Sequence, residues 1–220
     1  MSGSDLKILI WDGPTRLFHW LAAALVAAAY VTWRLNWMHW HAAAGYALLT
    51  VVIFRILWGI IGSETTRFSS FIASPRAAAR YLAHALRREP DHQAGHNPAG
   101  GWMVLFLLLL QVGVTLTGVY VNNDVADEGP FTELVPAPVA NAITALHWIF
   151  WDALLAAVAL HLLAIFLYKV VKGQNLVLPM VTGWKVLPAG ARQPRVVSPA
   201  RAAALLGCSA LAVAALANFL

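Results

Sequence analysis

The chain has little charge and almost no cysteine. Asp, Glu, Lys and Arg make up 11% of its 220 residues and hydrophobic residues 60%, where a soluble domain carries about 25% charged and about 45–50% apolar residues. With a mean hydropathy of +0.67 the composition excludes a soluble enzyme. A separate soluble catalytic domain is excluded too, because a few spans of about 20 residues each use half the chain or more. The single cysteine, Cys208, excludes an internal disulfide, a C-x-x-C-H site for covalent haem and a thiolate cluster for iron–sulfur or zinc. What the chain does hold is eight His and ten Trp, and histidine is the remaining candidate metal ligand.

Continuous apolar runs rich in Ala and Leu lie at Leu17–Leu35, Trp40–Ile61, Gly101–Val121, Ala142–Val171 and Ala202–Leu220. A barrel needs short alternating segments, so these runs predict an all-α membrane protein of five spanning helices. MSGSDLK offers no small-residue cleavage site after a short apolar core, so the first run reads as a retained span. Charge then sets orientation. Lys7 and Arg16 precede the first span; Arg67, Arg76, Arg80, Arg87 and Arg88 separate the second and third; Lys169, Lys172, Lys185, Arg192, Arg195 and Arg201 separate the fourth and fifth; the opposite side has only Arg34. This places the N-terminus on the cytoplasmic side and the C-terminus outside. The net charge of +5 is thereby a topology signal, with no nucleic-acid partner implied. PRAAARYLAHALRR has helical composition and is expected on the cytoplasmic membrane surface. EPDHQAGHNPAGG reads as a loop because of Pro90, Pro98 and its glycine pair.

His147 and His161 share the fourth span. Their separation of 14 residues is nearly four turns, which puts the imidazoles about 40° apart around the axis and roughly 21 Å apart along it. Polar side chains within spans face the bundle interior and mark function. His19 opens the first span on the cytoplasmic side and His41 opens the second on the outer side, so His41 shares a level with His147 and His19 with His161. Two bis-histidine b-type haems, one near each face, follow from that arrangement, since haem iron takes two axial ligands from facing helices. Gly45, one turn after His41, lets a macrocycle approach the backbone, and His39 points elsewhere. Arg55, 14 residues after His41, and Arg16, three before His19, are candidates to pair with haem propionates. His84, His92 and His96 read as solvated and the Trp residues near span ends as an interface belt. Asp152 is either a proton-site or quinone-site carboxylate or a neutral acid bonded to a neighbouring helix, and the fifth span reads as structural.

RLFHW at the first span, H-x-x-x-G opening the second with an Arg near its end, the two His 14 apart in the fourth and the following NLVLPMVTGWK resemble the prokaryotic cytochrome b561 family, which includes the b-type subunits of nickel–iron hydrogenases. The resemblance covers about residues 8–186. It implies metal ligands at His19, His41, His147 and His161, and a four-helix di-haem core that exchanges electrons between membrane quinone and a partner redox protein. Residues 1–186 are then the di-haem transmembrane domain, and 187–220 a linker with an extra C-terminal helix that the simplest members lack.

Three functions compete. The first is a transmembrane electron carrier between quinone or quinol and a periplasmic redox protein such as a c-type cytochrome. In its favour Asp124, Asp127, Glu128 and Glu133 form an outer patch for a basic partner. The second, also implied by the family, is a superoxide oxidase that reduces quinone, for which an acidic outer face is unfavourable. The third is a haem-free membrane scaffold or transporter subunit. Membrane lipid is a partner in all three.

Overall fold

The computed structural model describes residues 6–84, 87, 93–122, 129–188 and 190–218. Its elements in order are β1 (Leu6–Leu9), α1 (Gly13–Arg34), α2 (Met38–Ile61), α3 (Phe68–Phe71), α4 (Pro75–Ala83), α5 (Pro98–Gly118), α6 (Ala137–Lys172), α7 (Val177–Thr182), β2 (Trp184–Leu187) and α8 (Pro199–Asn218), with single 3-10 turns at Glu64–Thr66 and Thr132–Leu134. Five of these, α1, α2, α5, α6 and α8, are long and apolar enough to cross a membrane. The molecule is a multi-pass helical membrane protein, as the apolar runs predict. Leu109, Leu162, Phe166 and Leu211 are exposed on these helices, an apolar surface that lipid covers at no desolvation cost. With 36 residues, α6 is about 54 Å long, so its ends extend beyond a hydrocarbon layer about 30 Å thick.

Every spanning helix begins two to five residues before the apolar run that announced it. Proline accounts for most of this. Pro14, Pro98, Pro138 and Pro199 sit in the first turns of α1, α5, α6 and α8, where the missing N–H costs nothing and the ring presets the helical φ. Pro98 and the Gly100–Gly101 pair therefore open α5 rather than break helix, which corrects the loop expectation. The side-chain oxygen of Asn97 accepts the Gly100 N–H at 2.7 Å as the cap. Glycine is required at 101, since a Cβ there would lie 2.8 Å from the Phe71 carbonyl oxygen.

The chain forms two compact units: Met1–Leu17, Ile56–Phe106 and Val158–Ala202 in one, Phe18–Arg55, Leu107–Ala157 and Ala203–Leu220 in the other. The first unit holds a two-stranded antiparallel sheet that hydropathy did not reveal, with Leu6 opposite Leu187 and Leu9 opposite Trp184. Gly183, at φ +89°, ends α7 in the left-handed region open to glycine, and its carbonyl accepts from Ile10 N and Trp11 N. Ile8, Ile10, Trp11 and Leu187 bury one face of this hairpin. The segment before α8 is fixed in the same unit. Glu64 pairs with the Arg192 guanidinium and accepts the Arg195 N–H at 2.9 Å, while Val197 N donates to the Ser63 hydroxyl at 3.0 Å.

In the second unit α1 turns into α2 through Leu35–Trp37. Asn36 takes a left-handed φ of 57°, a conformation asparagine tolerates as a single residue. The Trp37 N–H returns to the Thr32 carbonyl at 2.8 Å. The two helices are therefore an antiparallel hairpin with almost no loop, which brings the start of α2 beside the last turns of α1. In α5, Gly113 has no room for a side chain, because a Cβ there would meet the Phe150 ring of α6 at 2.7 Å. Small residues of this kind let spanning helices approach closely.

Candidate metal centre

The tight α1–α2 turn sets the position of His41. Its backbone N–H donates to the Trp37 carbonyl at 2.9 Å, and its ring Nδ1 lies 2.9 Å from the Ala29 carbonyl oxygen of α1. A carbonyl only accepts, so Nδ1 carries the proton and Nε2 keeps its lone pair for a metal. His147 of α6 is held in the same way, with Nδ1 3.2 Å from the Thr117 hydroxyl near the end of α5. The two rings belong to one unit. Nothing lies within 4 Å of where a Gly45 Cβ would stand, so α2 leaves open space one turn from His41. Two imidazoles whose Nδ1 atoms are held by protein groups, leaving Nε2 to face a metal, suit the ligand chemistry of a b-type haem, so these residues fit that group.

The other sequence candidates are more dispersed. His19, half-buried in α1, sits edge-on to Trp20 with ring centroids 4.9 Å apart. It belongs to the second unit, whereas His161, half-buried in α6, belongs to the first. Arg55 is 2% exposed. Arg16 donates from Nη1 to the Val181 carbonyl of α7 at 2.5 Å, which ties its guanidinium to the chain just before β2.

Asp12 escaped the sequence reading. Its Oδ1 accepts the Thr15 N–H at 2.8 Å as the cap of α1, and its Oδ2 accepts from Trp58 Nε1 of α2 at 3.0 Å. The carboxylate is 3% exposed and Trp58 fully buried, so the start of the helix bearing Arg16 and His19 is tethered to α2. The run D-G-P-T before an apolar stretch carries that cap signal; the Trp58 partner has no local signal.

His39 is exposed and stands edge-on to Trp40, away from His41 as expected. His84 is exposed, its Nδ1 2.7 Å from the Arg80 carbonyl. His96 corrects the expectation of a solvated residue. Its ring packs 4.6 Å from Trp11 and 4.5 Å from Phe71, because the chain ahead of α5 folds onto the apolar hairpin. His92, Asp124, Asp127 and Glu128 lie outside the described residues, and Glu133 is exposed on the Thr132–Leu134 turn. Asp152 is exposed on α6. Tyr30 stacks on Trp151 and Trp33 meets Trp148 edge-on, so part of the aromatic belt joins α1 to α6. Among the described residues no three His, Cys, Asp or Glu side chains group around a metal-sized point.

Comparison with known proteins bears on the same residues. A family model described as prokaryotic cytochrome b561 matches residues 10–183. The chain belongs to the prokaryotic cytochrome b561 family. The match runs from the β1–α1 junction through α7, so all four candidate histidines of this cytochrome b561 lie inside it and α8 lies beyond it. Two curated relatives are similar along most of their length, each over an aligned stretch of 212 residues that takes in 81% of this chain and 88% of the relative. One is a probable Ni/Fe-hydrogenase B-type cytochrome subunit of Azotobacter chroococcum mcd 1, 23% identical. The other carries the same description in Azotobacter vinelandii and is 24% identical. No solved structure matches the chain significantly. Membership makes this cytochrome b561 a haem b protein of transmembrane electron transfer.

Proposed function

We propose that this chain carries electrons between the quinone pool of a bacterial inner membrane and a periplasmic redox protein such as a c-type cytochrome, using two b haems. His41 and His147 bind one, His19 and His161 the other. The N-terminus is cytoplasmic, residues 1–186 form the di-haem domain, and 187–220 add a linker and one helix. The carrying observation is the pair of Nδ1 bonds, His41 to Ala29 and His147 to Thr117, which leave two Nε2 atoms for axial ligation within one unit.

Haem b supplies a one-electron couple at low reorganisation cost when bound. The protein's residues do the rest. The four histidines would hold the iron, and a main-chain carbonyl and a hydroxyl fix the ring orientation of His41 and His147. Gly45 leaves space for the macrocycle, and Arg16 and Arg55 offer cations for propionates. The description of the relatives as hydrogenase cytochrome subunits makes a periplasm-facing oxidoreductase subunit the partner class to try beside c-type cytochromes. A pyridine haemochrome assay on the purified protein tests the reading: about two non-covalent haems per chain are expected. A ratio near one removes one histidine pair, and a ratio of zero removes the function.

A further inference from the structure

We infer that Thr117 is a positioning residue for His147, setting its tautomer and its strength as an electron donor to iron. The inference rests on the proposed haem ligation and adds to it the side chain that tunes one of the ligands. Thr117 lies in the last turn of α5 with its hydroxyl 2.7 Å from the Gly113 carbonyl, 3.2 Å from the Val114 carbonyl and 3.2 Å from His147 Nδ1. A hydroxyl has one proton, and the short contact to Gly113 uses it. Toward His147 the hydroxyl therefore presents a lone pair, so the ring must donate through Nδ1–H. That tautomer leaves Nε2 deprotonated.

The next residue enforces the approach. A Cβ at Gly118 would lie 3.2 Å from His147 Cε1 and 3.5 Å from its Nδ1, closer than most side chains tolerate, so glycine at 118 admits the ring to the Thr117 hydroxyl. The partner ligand differs in kind. His41 donates to the main-chain oxygen of Ala29, which no substitution removes, whereas the acceptor for His147 is a side chain. A hydrogen bond from Nδ1–H draws the proton partly off the ring and adds imidazolate character, which strengthens the nitrogen as a donor and favours ferric over ferrous iron. Thr117 is thus the side chain through which evolution or an experimenter shifts the potential of this haem without touching a ligand.

The experiment is a redox titration of the purified holoprotein with three variants. Thr117→Val keeps shape and removes the acceptor. One haem is then expected to become about tenfold easier to reduce, about +59 mV for one electron, with the other haem unmoved. Thr117→Ser restores the hydroxyl and should return the parent potential. Thr115→Val is the control: the Thr115 hydroxyl makes the same helix bond, 2.7 Å to the Gln111 carbonyl, and is back-bonded on the same helix without bonding a histidine, so both potentials should stay. An unchanged titration in Thr117→Val, equal shifts at both haems, or a serine variant that behaves like valine overturns the inference. Should the parent bind no haem, the ligation reading fails by itself. Nitrogen-15 NMR of His147 in the detergent-solubilised protein then decides Thr117 separately: an Nδ1–H tautomer lost in Thr117→Val sustains it, and an Nε2–H tautomer in the parent overturns it.

Discussion

The two histidine pairs sit in different chemical company. His41 and His147 lie within one compact unit, each with Nδ1 beside a neutral group, a carbonyl and a hydroxyl. On the helix that bears His19, by contrast, come a buried carboxylate at Asp12 and a guanidinium at Arg16, while α2 adds the buried Arg55. Dipoles orient a ligand, but full charges in a low-dielectric surrounding also move its redox equilibrium. The pairs are therefore expected to differ in how they respond to substitution: the first through loss of geometry, the second through change of charge.

Removing a ligand gives the largest effect and tests the pairing itself. His41→Ala and His147→Ala should each abolish the same haem, lowering the haemochrome ratio from about two to about one and erasing the same component of the visible spectrum. His19→Ala and His161→Ala should erase the other. Loss of a common component by His41→Ala and His161→Ala breaks the comparison, because it assigns one haem to ligands at what the sequence places as opposite faces.

A smaller effect separates charge from geometry. Arg55→Leu should leave two haems bound but lower the potential of the one held by His19 and His161, since a nearby cation favours the less positive ferrous state. The expected size is of order 1 kcal/mol, read as a downward shift of one wave in a redox titration. A shift of the His41–His147 wave instead would place Arg55 with the neutral pair and erase the contrast.

What was legible in the chain follows from the range of each interaction. Five spans could be read because about 20 apolar residues in succession have few other uses, and the four histidines stand out as candidates because a polar group inside such a run is costly. The start of each helix was misjudged because hydropathy reports the apolar run, while Pro98 or Pro199 reports where the backbone turns helical. Strands β1 and β2 pair residues near opposite ends of the family match, Leu6 with Leu187, and four-residue strands have too short a period to stand out. Trp58 lies within an apolar run, yet its indole donates to Asp12 46 positions earlier. His96 was assigned to water because its sequence neighbours are polar, and only the fold brings it to Trp11 beside β1 and to Phe71 of α3. Nothing local encodes those partners.

The smallest expected effect concerns the segment that leads to α8, where charge acts at the surface. The Arg195 N–H first, then the Arg192 guanidinium beside it, hold the Glu64 carboxyl below the usual carboxylate range. A carboxyl whose folded-state pKa is depressed contributes its stability above its unfolded value and loses it as pH falls through the folded one. The clasp should therefore be intact at neutral pH and release below the ordinary carboxyl range, freeing the chain around Arg192–Val197 while the proposed histidine ligands on α1, α2 and α6 are unaffected. Glu64→Gln should mimic that release at pH 7, because an amide keeps one acceptor for the Arg195 N–H but no charge for Arg192. Hydrogen exchange or limited proteolysis of the 188–198 segment reads the difference: faster cleavage in the variant at pH 7, and convergence with the parent in acid. The ion pair is solvent-exposed, with 76% of the Arg192 side chain accessible, so salt should weaken the clasp in the same direction. If Glu64→Gln left cleavage at the parent rate at both pH values, the Glu64 N–H bond to the Arg195 carbonyl and the Val197 N–H bond to the Ser63 hydroxyl would hold the segment without help from charge, and the electrostatic contrast would narrow to the residues on α1 and α2.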